Sequence, residues 1–270
     1  MCCCRNFAYL CCIILLTFAA YMIPTDMLFN RTARLLGAEA LEALSNTRVI
    51  IFGVGGVGSW TAEALVRTGV KHLTIVDADT VSMTNINRQA EAFLSTVGEV
   101  KVEAMKRLLL DINASADIHS EAIEYNDSTA ASFDFEEYDY VVDAIDSLQA
   151  KMLLIRNATA ARRPVFFSSM GAALKIDPTK ISVAEFWKVQ GCSLAAALRS
   201  RFRKSGIFPR RKFKCVYSPE LLQNKGEIST SDGSMTYNKA AVNGSLCHIT
   251  AIFGMTIAGM IIEDIVTGKT

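Results

Sequence analysis

From Arg48 onward, short apolar runs alternate with longer amphipathic stretches. Val49-Ile50-Ile51-Phe52, Leu73-Thr74-Ile75-Val76 and Tyr140-Val141-Val142 place apolar side chains at successive positions, as strands covered on both faces require. The pattern predicts strands near 48–53, 73–77, 117–122, 139–143 and 164–168, with helices between them. Such alternation specifies an α/β fold: a doubly wound, Rossmann-like, mostly parallel sheet with helices on both faces. Residues 171–270 are less periodic and are predicted to form a smaller C-terminal lobe over the carboxyl edge of the sheet. They end in an apolar helix from Ile249 to Val266, where Gly254, Ala258 and Gly259 predict close helix packing. Glu263 and Asp264 interrupt that run, so a core helix is expected rather than a membrane span.

The N-terminus breaks this pattern. Phe7 to Ile23 carries no charge, follows Arg5 and precedes Pro24 and Asp26. The run reads as a signal-peptide core, as a short membrane anchor, or as sequence ahead of a functional start at Met27. No small-x-small cleavage pattern follows it, and the start at Met27 is the favoured reading. Residues 1–26 are therefore set apart from a single domain expected over 27–270.

Composition narrows the class. A chain of 270 residues that is 51% apolar with net charge +1 can bury a large core, and its overall charge does not mark a general polyanion binder. Of eight cysteines, Cys2, Cys3, Cys4, Cys11 and Cys12 crowd the N-terminus, leaving Cys192, Cys215 and Cys247 in the body. These three form no C-x-x-C pair, so a four-cysteine zinc site has no ligands. Scattered thiols suit a reducing cytoplasm, and each is expected to be inert, including Cys192, which follows Gly191 in a predicted loop.

The chemistry begins where the first strand ends. Gly53, Gly55 and Gly58 fit G-x-G-x-x-G, with Gly56 and Ser59 completing the turn into a helix. Such a turn lets the backbone approach a phosphate, which the following helix's N–H groups stabilise. Asp77, at the end of the second strand, is placed to bind ribose hydroxyls. Alone, these features serve NAD, FAD or ATP. Asp79, Asn85, Arg88, Gln89 and Lys101 follow, and two cations with two amides suit a triphosphate better than a neutral nicotinamide ring. Beyond the fourth strand lie Asp143 and Asp146; Asp146 is the candidate magnesium ligand, and Asp143 is assigned a structural role, such as capping the helix near Ser147.

A second charged feature lies far along the chain. Arg199, Arg201, Arg203, Lys204, Arg210, Arg211, Lys212 and Lys214 fall in segment 199–214 without an acid, interleaved with Phe202, Phe208 and Phe213. Cations for phosphates and aromatics for unpaired bases favour a nucleic-acid partner.

The set Gly53-x-Gly55-Gly56-x-Gly58-Ser59, Asp77-x-Asp79, Asn85-x-Asn87-Arg88-Gln89, Lys101-x-Glu103 and Asp143-Ala-Ile-Asp146-Ser147 resembles the ubiquitin-activating-type adenylyltransferase superfamily. Arg34-Leu-Leu-Gly37, Asp177-Pro178-Thr179 and Val216-Tyr-Ser218-Pro-Glu220 are most similar to its tRNA threonylcarbamoyladenosine dehydratase branch. The resemblance runs from about Asn30 to the C-terminus. It implies ATP and Mg2+ as cofactors, tRNA as substrate, and acyl-adenylate formation followed by ring closure. Activation of a sulfur-carrier or ubiquitin-like protein is the alternative. It further implies a homodimer in which an arginine, Arg31 or Arg34, reaches the partner's phosphates, and sulfur-transfer proteins as possible partners. A membrane contact is expected only through residues 7–23. Lys239 stands near the position where some relatives carry a cysteine, so no thiol-dependent step is implied.

Overall fold

The computed structural model describes residues 25–226 and 243–268, so the N-terminal apolar run and Lys239 lie outside the described residues. After one helical turn at Thr25–Leu28, two short helices, α1 (Asn30–Leu36) and α2 (Ala38–Asn46), lead into β1 (Arg48–Phe52). The glycine turn opens α3 (Gly58–Thr68), and β2 (His72–Val76) follows. A long connection reaches α4 (Lys101–Ile112) and β3 (Asp117–Glu121). Next come β4 (Tyr140–Asp143), α5 (Leu148–Ala160) and β5 (Val165–Ser169). The C-terminal part supplies β6 (Ser182–Glu185), α6 (Ser193–Ser205), β7 (Lys214–Tyr217) and α7 (Cys247–Thr267).

The seven strands form one sheet in the order β3-β2-β1-β4-β5-β7-β6. All neighbours are parallel except β6, which runs antiparallel to β7 at the edge. The five expected strands fall within a residue or so of their expected bounds. The C-terminal segment adds something the pattern did not show: β6 and β7 extend the same sheet, while residues 170–181 pass over its carboxyl edge.

Strand order reverses between β1 and β4, where Phe52 pairs with Asp143. Parallel strands diverge into helices on opposite faces there, which leaves a crevice beyond their carboxyl ends. One core cluster joins Leu65, Val66, Met105, Phe253 and Ile257 on one face. The other joins Phe52, Tyr125, Leu154, Phe186 and Phe202. Helix α7 is apolar and long enough to cross a membrane by composition, but Ile249, Phe253, Gly254, Ile257, Ala258 and Ile261 are buried, so it is a core helix. A side chain on Gly254 would come within 2.5 Å of the Val57 carbonyl oxygen, which confirms that α7 lies hard against the first turn of α3. Gly259 has nothing within 4 Å and takes no part in that packing, contrary to its expected role.

Candidate functional site

The glycine turn is built partly for the protein and partly for a ligand. Gly53 has φ +89°, and a β-carbon there would lie 2.7 Å from the Ala144 carbonyl oxygen. One on Gly58 would lie 1.8 Å from the Gly53 carbonyl oxygen, so neither position tolerates a side chain. Gly55 differs: its nearest neighbour would be Gln89 Nε2 at 3.7 Å, leaving open space on the crevice side. This is the position at which a phosphate can come close to backbone N–H groups.

Asp77 clamps the turn. Its Oδ2 accepts from the Val54 N–H at 2.7 Å and its Oδ1 from the Asp79 N–H at 2.9 Å. Ser59 is fully buried; its hydroxyl donates to the Gly55 carbonyl at 2.7 Å and accepts from the Ala90 N–H at 3.1 Å. This buried, doubly bonded hydroxyl fixes the turn against segment 85–90. Asn85 is similarly occupied, its Oδ1 accepting from the Ser82 N–H at 3.0 Å. Asn87 donates to the Ser245 carbonyl at 3.0 Å and ties the same segment to the approach to α7.

The cations stand around this frame. Trp60 Nε1 donates to the Arg88 carbonyl at 3.0 Å, while the Arg88 guanidinium donates to the Thr84 carbonyl at 2.8 Å and Asn87 Oδ1 at 2.9 Å. Burial draws the Arg88 pKa down from its ordinary value, and the charge of Asp146 opposes that fall. The Asp146 carboxylate, exposed beyond β4, is thus electrostatically paired with Arg88 across the switch point. Lys101 opens α4 and is buried, with Nζ 2.8 Å from Asp79 Oδ2. Burial alone would lower its pKa; the Asp77 and Asp79 carboxylates oppose burial most strongly and the net shift is upward, so the ammonium stays charged. The Gln89 carbonyl oxygen is buried without a hydrogen-bond partner beside Gly55. An orphaned side-chain acceptor at the crevice is where a ligand donor gains most.

Asp143 is structural, but not as a helix cap. Its Oδ2 accepts from Ser168 Oγ at 2.6 Å and lies 2.8 Å from Lys151 Nζ, both partners being fully buried. Lys151 also donates to the Ile145 carbonyl at 2.9 Å, and Asp143 Oδ1 accepts from the Ile145 N–H at 3.2 Å. This pair shapes the loop that carries Asp146. Burial pushes the Asp143 carboxyl upward in pKa, with Lys151 opposing.

Residues 29–266 match the ThiF family. The chain belongs to the ThiF family. It is 34% identical to the tRNA threonylcarbamoyladenosine dehydratase of Bacillus subtilis over 88% of this chain and 94% of that one. It is 36% identical to the Escherichia coli dehydratase over 84% of this chain and 88% of that one. The crystal structure of the E. coli enzyme in complex with ATP superposes with a TM-score of 0.78 at 31% identity, covering 90% of this chain and 96% of that one.

In this ThiF-family chain two groups of expected residues stand away from the crevice. Arg31 and Arg34 are exposed on α1, near which Phe29 and Leu41 lie against Gly69 at the far end of α3. That helix is roughly 16 Å long at 1.5 Å per residue, which sets this contact well away from the glycine turn. The basic segment also splits by function. Arg211 donates to the carbonyls of Ala158, Thr159, Arg162 and Pro164 and so caps the end of α5. Arg199 donates to the Phe186 carbonyl at 3.0 Å, and Phe202 and Phe213 are core residues. Arg201, Arg203, Lys204, Arg210, Lys212, Lys214 and Phe208 remain exposed. Loop 206–213 precedes β7 and therefore lies at the amino edge of the sheet, opposite the glycine turn.

Glu91, Lys151 and Ser168 were not singled out from sequence. Glu91 carried one readable signal: an acid set between Ala90 and Ala92 in an otherwise apolar run.

Proposed function

We propose that this protein is an ATP-dependent tRNA threonylcarbamoyladenosine dehydratase. The observation that carries the reading is likeness to such enzymes along almost the whole of both chains, with the glycine turn, Arg88, Lys101 and Asp146 gathered at one switch point.

The substrate carboxylate attacks the α-phosphorus of ATP, the bond to pyrophosphate breaks, and an acyl-adenylate forms. Gly53 to Gly58 and the α3 N-terminus hold phosphates, and Asp77 keeps lone pairs for ribose hydroxyls. Arg88 and Lys101 neutralise charge that grows on the leaving pyrophosphate, with Gln89 and Asn85 maintaining the wall between them. The carbamoyl group of the same substituent then closes on the acyl carbon, and AMP leaves with the carboxylate oxygen, so water is lost overall. An exposed carboxylate beyond a strand end fits Mg2+, which accompanies nucleotides through one or two carboxylates; Asp146 would hold it, and the ion would add positive charge along the phosphates.

On this reading the enzyme is a cytoplasmic homodimer, with Arg31 or Arg34 serving the partner's site and the exposed cations of 199–214 meeting tRNA phosphates. Residues 27–270 act as one catalytic unit, and the preceding segment either precedes the functional start or tethers it to a membrane. Sulfur-transfer proteins are candidate partners.

Incubation with ATP and threonylcarbamoyladenosine-containing tRNA, followed by nucleoside mass analysis, should show loss of one water from the modified nucleoside with AMP and pyrophosphate released. A protein that leaves the nucleoside unchanged but adenylates a diglycine-ended carrier protein would replace this reading with the carrier-activating one.

A further inference from the structure

Glu91 is 1% exposed, and neither of its carboxylate oxygens has a hydrogen-bond partner. It is held rigidly there: Thr96 Oγ1 donates to the Glu91 carbonyl at 2.8 Å and accepts from the Phe93 N–H at 2.9 Å. The charged groups around it are Asp77 after β2, Lys101 at the start of α4, and Arg88 two residues before it, with Ser59 of α3 also adjacent. The site already carries Asp77, Asp79 and Asp146 against Arg88 and Lys101. A further anion would leave the two cations outnumbered by four to two, in a place meant for a polyanion.

Resting on the nucleotide reading above, we propose that Glu91 is a positioning residue that works as the neutral acid. Protonated, it leaves Lys101 directed at the crevice for a nucleotide's phosphates. Ionised, it draws the Lys101 ammonium inward and repels the phosphates directly. Geometry explains why the acid holds its proton: the position is closed, and the Ser59 hydroxyl beside it already donates to the Gly55 carbonyl, so a carboxylate there is poorly supported. Burial pushes the pKa to about 8, with Asp77 acting in the same direction and the residue's own N–H, Lys101 and the Ser59 hydroxyl against it.

The test compares the full chain with its Glu91→Gln variant, which keeps the shape of the neutral acid. ATP affinity is measured by titration calorimetry from pH 6.5 to 9.5, and thermal unfolding is followed without nucleotide from pH 4 to 9.5. The wild-type Kd should stay flat up to about pH 8 and then rise, reaching roughly 30-fold weaker at pH 9.5 if only the neutral form binds. Glu91→Gln should remove that rise. In the unfolded chain the carboxyl ionises near pH 4.3, whereas in the fold it keeps its proton to about pH 8. Between those values the folded state binds the extra proton, so wild-type stability falls as pH rises. The Tm advantage of Glu91→Gln should therefore open across pH 5–8 and stay constant above. ATP binding with the same alkaline limb in both proteins, or a Tm gap independent of pH, overturns the role of Glu91 alone. Failure of both proteins to bind ATP at every pH overturns the nucleotide reading, and the Glu91 proposal with it.

Discussion

The two edges of the sheet hold charges of the same kinds in opposite settings. At the carboxyl edge Lys101 is 7% exposed at its side chain and Lys151 is fully buried, each fixed at 2.8 Å from one carboxylate. At the amino edge Arg201, Arg203, Lys204, Arg210, Lys212 and Lys214 stand in solvent. In a low-dielectric crevice a charge acts strongly on one atom and suffers if that partner is missing. In solvent it acts weakly, at longer range, and gains importance only in number. The first setting suits bond-making, the second suits holding a large polyanion in register.

That contrast breaks most clearly at the buried pair. Lys151→Ala strands the Asp143 carboxylate in the core and should cost about 3–5 kcal/mol of stability, read as a lower urea midpoint. A variant that unfolds at the wild-type midpoint would mean the pair is hydrated and the two edges are less different than they look. Next in size, Arg88→Ala and Lys101→Ala should each slow pyrophosphate release by roughly 100- to 1000-fold, about 2.7–4 kcal/mol, while changing ATP affinity less. Near-normal release in both would remove the carboxyl edge from the chemistry.

The amino edge should respond differently. Reversing Arg203, Arg210 and Lys212 to glutamate should flatten the salt dependence of tRNA binding and leave ATP affinity unchanged. Arg211 belongs outside that set, because it caps α5, and its replacement would confound binding with stability. Normal processing of modified tRNA by the triple variant would assign RNA contacts elsewhere. The smallest effect is expected at Gly259, which faces open space within α7; Gly259→Ala should raise stability by about 0.4–1 kcal/mol, seen as a slightly higher Tm.

The readable parts of the sequence were those where one physical demand acted alone. Val49 to Phe52 and Leu73 to Val76 announce central strands because covered strands need continuous apolar residues. Strands β6 and β7, Ser-Val-Ala-Glu and Lys-Cys-Val-Tyr, are short, mixed and near an edge, so periodicity does not separate them from loop. The glycine turn was legible, but its division of labour was not, because the obstruction at Gly58 comes from a carbonyl folded back from Gly53. Lys151 reads as an ordinary helical surface cation until Asp143 and Ser168 are seen beside it. Arg199 and Arg211 likewise read as patch members, although carbonyl groups at helix ends and turns occupy them. Charge type is written in sequence; the dielectric around it is set by residues distant along the chain.

The contact between α7 and α3 carries a consequence for how the protein is made. Thr61 Oγ1 donates to the Gly254 carbonyl at 3.2 Å, across 193 positions of sequence. A growing chain lengthens at about 5–20 residues per second, and β1, α3 and the glycine turn emerge long before α7 exists. During that interval one flank of α3 lacks its covering, and Val57, Leu65 and Val66 have only part of their final surroundings. The phosphate turn is thus among the first parts synthesised and among the last to be completed. Its order waits on the closing helix, so a nascent chain that stalls before residue 247 holds the binding motif without the support that shapes it.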